Sequence, residues 1–96
     1  MIKLNVTYKK YERRGAIMSY IVEEDNGISY GKGTRATYNV VDGVAEGLNR
    51  LLESLYIQHR EGEAVTVTGV ELTQGAQTWL ADLFTSNDAI SELTFE

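Results

Sequence analysis

Apolar and polar positions recur along this chain with two different periods. From Val40 to Tyr56 the apolar residues are Val41, Val44, Ala45, Leu48, Leu51, Leu52, Leu55 and Tyr56. That is the i, i+3, i+4, i+7 stripe of an amphipathic helix, sustained for about four turns. Glu46, Asn49, Arg50 and Glu53 occupy the other face, with Glu46 and Arg50 in the favourable i,i+4 orientation. Asn39 is a good N-cap, and Asp42 puts negative charge into the first turn. The pattern predicts a central helix laid against a sheet, with Leu48 and Leu52 nearly fully buried.

Elsewhere the period is two. Ile2, Leu4, Val6 and Tyr8 alternate with Lys3, Asn5 and Thr7, which predicts a strand over 2–8 with one buried face. The polar stretch from Lys9 to Gly15 reads as a loop. Residues 16–23 predict a second strand, apolar enough on both faces to sit inside a sheet. Asp25-Asn26-Gly27 is a hairpin signal, because Asn and Gly tolerate the positive φ of tight turns. A third strand is expected over 28–34, where Gly31 and Gly33 point to a bulge or to close packing. After the helix, residues 58–62 form a polar turn and 63–68 a short β-branched strand. Thr73 then caps a second helix with the apolar set Ala76, Trp79, Leu80, Leu83 and Phe84, which reads as core. Ser86-Asn87-Asp88 ends it, and 89–95 is the last strand.

The order is therefore βββαβαβ. Right-handed crossovers place the fourth and fifth strands parallel to the first and beyond it, in spatial order 3-2-1-4-5. This is an α/β fold with a single mixed five-stranded sheet and two helices packed on it. Ninety-six residues make one domain, 1–96, with a single core.

Composition narrows the chemistry. No cysteine occurs, so there is no disulfide framework, thiol nucleophile or thiolate zinc site, and one histidine cannot build a histidine-rich metal centre. No apolar run is long enough to span a membrane, and the N-terminus alternates instead of forming the apolar segment of a signal peptide. A cytoplasmic location is expected. The net charge of −5 hides an asymmetry. Residues 1–35 hold seven basic against four acidic side chains, while the remainder holds two basic, Arg50 and Arg60, against ten acidic. Such polarity can orient a partner.

The glycine-bearing third strand, the entry Thr37-Tyr38-Asn39-Val40-Val41-Asp42-Gly43 and the length of the following helix resemble the ribonuclease H-like family. There a Thr-Thr-Asn-Asn-x-Ala-Glu segment opens the first helix. The resemblance implies that fold and, for active members, clustered carboxylates holding two divalent ions for phosphodiester hydrolysis. This chain departs from the pattern at each of those positions. The first strand offers Asn5, Thr7 and Tyr8 in place of an acid, and the motif glutamate aligns with Gly43. Near the end of the fourth strand, around Thr68 to Val70, the nearest acid is Glu71. The last acidic position of the family follows the fifth strand, close to where this sequence stops at Glu96. Asp42, Glu46 and Glu71 remain as displaced carboxylates, and a nuclease would need them to converge. No catalytic residue, metal or cofactor is expected.

No P-loop, dinucleotide fingerprint or nucleophile elbow is present. His59 lies in a polar turn and reads as solvated. One segment stands out: Lys9, Lys10, Tyr11, Arg13 and Arg14 interleave basic groups with an aromatic. They read as partner-binding residues, for an acidic protein surface or for nucleic-acid phosphates and bases. The competing reading is a charged hairpin tip that only keeps strands from associating. The sequence thus points to a non-enzymatic module that binds a protein partner, a second copy of itself included. The alternative is a nucleic-acid binder, with a metal-dependent nuclease behind both.

Overall fold

A computed structural model describes residues 1–11, 15–24 and 29–96. Three antiparallel strands, β1 (Ile2–Tyr11), β2 (Gly15–Glu24) and β3 (Ser29–Thr37), are followed by α1 (Val40–Ile57), β4 (Glu63–Thr68), α2 (Gln74–Thr85) and β5 (Ile90–Phe95). The sheet order is β3-β2-β1-β4-β5, with β4 parallel to β1 and β5 parallel to β4. This is the order that right-handed crossovers require. β2 is the interior strand of the meander, as its apolar content foretold.

Both helices share one core on one face of the sheet, which gathers Ile2, Leu4 and Val6, Met18 and Tyr20, Val65 and Val67, and Ile90 against Leu48, Leu51, Leu55, Leu80 and Phe84. α1 lies over the meander, and α2 packs mainly on β5. The ends of the helices are held as their caps demand. Asn39 Oδ1 accepts the Asp42 N–H at 2.8 Å while its amide donates to Asp42 Oδ2 at 2.8 Å. Thr73 Oγ1 accepts the Ala76 N–H at 3.2 Å.

Three expectations are corrected. The stretch from Lys9 to Tyr11 continues β1 and pairs with Ile17, Ala16 and Gly15, because the ladder to β2 still offers partners there. Residues 12–14 and the Asp25-Asn26-Gly27 signal lie outside the described residues. Trp79 is not core: it is 55% exposed and Leu83 is 48% exposed, since α2 covers the edge of the sheet and its stripe overhangs it. On α1 the buried set is Gly43, Val44, Gly47, Leu48, Leu51 and Leu55. Leu52 is only half-buried and Tyr56 is 81% exposed. The helix is rotated toward its glycines, which carry no side chain to hold it off the sheet.

The two strand glycines behave as expected. The β2–β3 register slips between Val22 and Glu23, leaving Tyr30 as the extra residue of a bulge beside Gly31. At Gly33 a Cβ would lie 2.7 Å from the Tyr20 ring, so close packing excludes any side chain there unless that ring moves.

Candidate functional site

Strand geometry divides the basic segment. Successive side chains point to opposite faces, so Lys9 falls on the face away from the helices with Lys3, Asn5 and Thr7, and Lys10 falls on the helix side. Both are exposed. Tyr11 holds its backbone place opposite Gly15, which takes φ +79° as the chain re-enters β2. Arg13 and Arg14 lie outside the described residues. The face carrying Lys9 continues across β2 and β3 with Ile17, Ser19, Ile21, Lys32 and Thr34. Hydroxyls run along it, from Thr7 to the Ser19 carbonyl at 3.4 Å and between Ser19 and Thr34 at 3.1 Å. No helix covers it among the described residues, and Ile17 and Ile21 are 40% and 42% exposed.

The displaced carboxylates are engaged separately. Asp42 is held by its cap partner Asn39. Glu46 Oε1 accepts from Arg35 Nη1 at 2.7 Å, with Arg50 Nε at 3.5 Å. Glu71 is exposed in the connection after β4. Among the described residues, no three His, Cys, Asp or Glu side chains group so as to hold a metal ion. Gly43, where the motif glutamate aligns, is buried, and a Cβ there would lie 2.8 Å from Met18 Cγ. Asn5 pairs in register with Thr68. Gly69 follows at φ +89°, and a Cβ would come within 2.5 Å of Asn5 Oδ1 and would press on the Val6 carbonyl. The end of β4 beside β1 thus presents an amide, a hydroxyl and a glycine.

His59 has a local structural role. It is the left-handed residue that ends α1, at φ 54°. Its N–H donates to the Tyr56 carbonyl at 3.1 Å and the Arg60 N–H to the Leu55 carbonyl at 2.9 Å, the paired bonds of a Schellman cap. Arg60 then turns inward. It meets Glu63 Oε1, with Nε at 2.8 Å, and also Glu24 at the end of β2. This half-buried triad ties the α1–β4 turn to the meander.

A second surface was not singled out by the sequence reading. A groove of about 660 Å³ runs between β3 and α1. Tyr20, Val22 and Leu51 form its floor, Gly31 and Gly33 its strand side, and Arg35, Glu46 and Arg50 its rim. Two glycines spaced by two on one strand were the available signal: they strip one face of β3 of side chains.

Strand order, register and helix placement can be compared with known folds. A structure of LC11-RNase H1 in complex with an RNA/DNA hybrid superposes with a TM-score of 0.72 at 13% identity, covering 100% of this chain and 83% of that one. The chain has a ribonuclease H-like fold. No protein-family model matches the sequence, and no curated protein matches it either.

Proposed function

We propose that the chain is a small non-enzymatic interaction module on a ribonuclease H-like scaffold, binding a protein partner in an inhibitory or assembly role in the cytoplasm. The observation that carries this reading is Gly43. The position that aligns with the motif glutamate is packed against Met18, and the end of β4 beside β1 bears Asn5, Thr68 and Gly69 and no acid. Hard cations need several oxygens converging at about 2.0–2.6 Å. Asp42 and Glu46 are already committed to Asn39 and to Arg35. The polarity between a basic first third and an acidic remainder supports recognition through charge.

The test is incubation with DNA, RNA and RNA–DNA hybrids in Mg²⁺ or Mn²⁺. No cleavage is expected; cleavage that disappears on Asp42→Asn or Glu46→Gln would overturn the reading. Affinity capture from the native host then identifies the partner. Reversing Lys10 and Arg13 to Glu is expected to weaken capture and its salt dependence while circular dichroism stays unchanged, because exposed charges act over about 8–10 Å.

A second reading is nucleic-acid binding through Lys9, Lys10, Tyr11, Arg13 and Arg14. The hybrid bound by the similar LC11-RNase H1 structure favours it. The acidic total of −5 weighs against it, since such affinity draws on neutralised phosphates. A gel-shift titration with an RNA–DNA hybrid at low salt separates the two readings.

A further inference from the structure

Resting on the protein-binding reading, we infer that the open edge of β3 and the groove beside it take an extended acidic peptide of the partner as a sixth strand. β3 is the outermost strand on its side of the sheet, nine residues long, whereas the opposite edge strand, β5, has six. An edge strand offers a row of unpaired N–H and C=O groups, and strand addition to such an edge is a common mode of peptide recognition. The residues of β3 that face α1 include Gly31 and Gly33, so the groove between strand and helix is not filled from the strand side. Around Gly31 a Cβ would meet nothing within 4 Å. A peptide paired along β3 would send alternate side chains into this groove, over Tyr20, Val22 and Leu51.

Charge selects the occupant. Arg35 and Arg50 both lean on the single carboxylate oxygen Glu46 Oε1, at 2.7 Å and 3.5 Å. Two guanidiniums carry more donors than one carboxylate can accept. Arg50 also reaches Glu53, but only at 3.6 Å and with that carboxylate 68% exposed. Lys32 adds a third cation on the opposite face of β3, where the other alternate side chains of a paired peptide would lie. An acidic side chain entering the groove would take the spare guanidinium donors in charge-assisted bonds. The same charges disfavour a second copy of β3 as occupant, because two-fold pairing would set Lys32 and Arg35 near their own equivalents.

The experiment pans a random library of linear peptides, roughly nine residues long to match β3, on the immobilised chain. Enriched peptides are then measured by fluorescence polarisation. Enrichment of acidic residues is expected, with affinity that falls as salt rises. Gly31→Ile should fill the groove without a clash; it is expected to fold with unchanged or higher melting temperature and to bind at least about tenfold more weakly. Arg35→Ala with Arg50→Ala should weaken binding and flatten its salt dependence. Glu92→Gln, exposed on the opposite edge strand β5, should leave it unchanged. No enrichment, or enriched peptides that bind folded Gly31→Ile as well as the wild type, would overturn the inference. So would a wild-type dimer in sedimentation that Gly31→Ile converts to monomer, since the occupant would then be a second copy. A captured host protein that Gly31→Ile retains in full would also overturn it while leaving the protein-binding reading intact; nuclease activity would remove that reading and not the peptide result.

Discussion

The two helices carry similar stripes and meet different fates. α1 lies across β1, β2 and β3 and buries six residues, while α2 lies over β5 and buries two, Leu80 and Phe84. Each has an N-cap that accepts a first-turn N–H, so local helix signals do not separate them. Position over the sheet does. A helix across the middle of a sheet finds apolar side chains beneath both flanks of its stripe. A helix over an edge strand finds them beneath one flank only, and the other flank, Trp79 and Leu83, remains half open. Periodicity thus reports which face of a helix can be buried, and the partner decides how much of it is.

Substitutions break this comparison at graded cost. Leu48 is fully buried, and Leu48→Ala is expected to lose about 2–5 kcal/mol in urea unfolding. A loss below about 0.5 kcal/mol would mean that α1 presents another face. The glycine flank of α1 is next. Gly43→Glu would put the ribonuclease H motif residue against Met18, and it is expected to destabilise by about 1–3 kcal/mol through overpacking. A variant that unfolds at the wild-type urea midpoint would show that Met18 yields, reopening the position for a carboxylate.

The half-covered flank should be cheaper. Leu52→Ala is expected to cost clearly less than Leu48→Ala, and Trp79→Ala less than about 1 kcal/mol, both from thermal melts of the same preparation. Equal losses for Leu48→Ala and Trp79→Ala would erase the contrast between the helices. The smallest effect sits at the end of α1. His59 holds φ 54°, a conformation that glycine adopts without the Cβ penalty, so His59→Gly should raise stability by up to about 1 kcal/mol. A decrease would show that the imidazole contributes more than its backbone strain costs.

The candidate surfaces were unequally legible. Lys9, Lys10, Tyr11, Arg13 and Arg14 are consecutive or nearly so, and a cluster in sequence is visible without a fold. Its division onto two faces of β1 was not, because a polar run with a glycine looks like a loop until β2 supplies a ladder for it. The groove beside β3 was hidden for the opposite reason. Its rim joins Arg35 to Glu46 and Arg50, and its floor joins Tyr20 to Leu51, residues on three different elements. The Arg60–Glu24–Glu63 triad is likewise invisible to spacing, since Glu24 stands 36 residues before Arg60.

By itself the sequence determined the elements, their caps and their order in the sheet. Those depend on near-neighbour physics: side-chain period, turn residues, hydrogen bonds over three or four positions, and the handedness of crossovers. Only the tertiary structure decided how far each stripe is covered, which way α1 rotates, and which charges meet. Covering Leu48 but not Trp79, closing Gly43 against Met18 and leaving a groove at Gly31 all depend on atoms brought together from distant parts of the chain. Burial and ion pairing are properties of such pairs, and no local period encodes the second member.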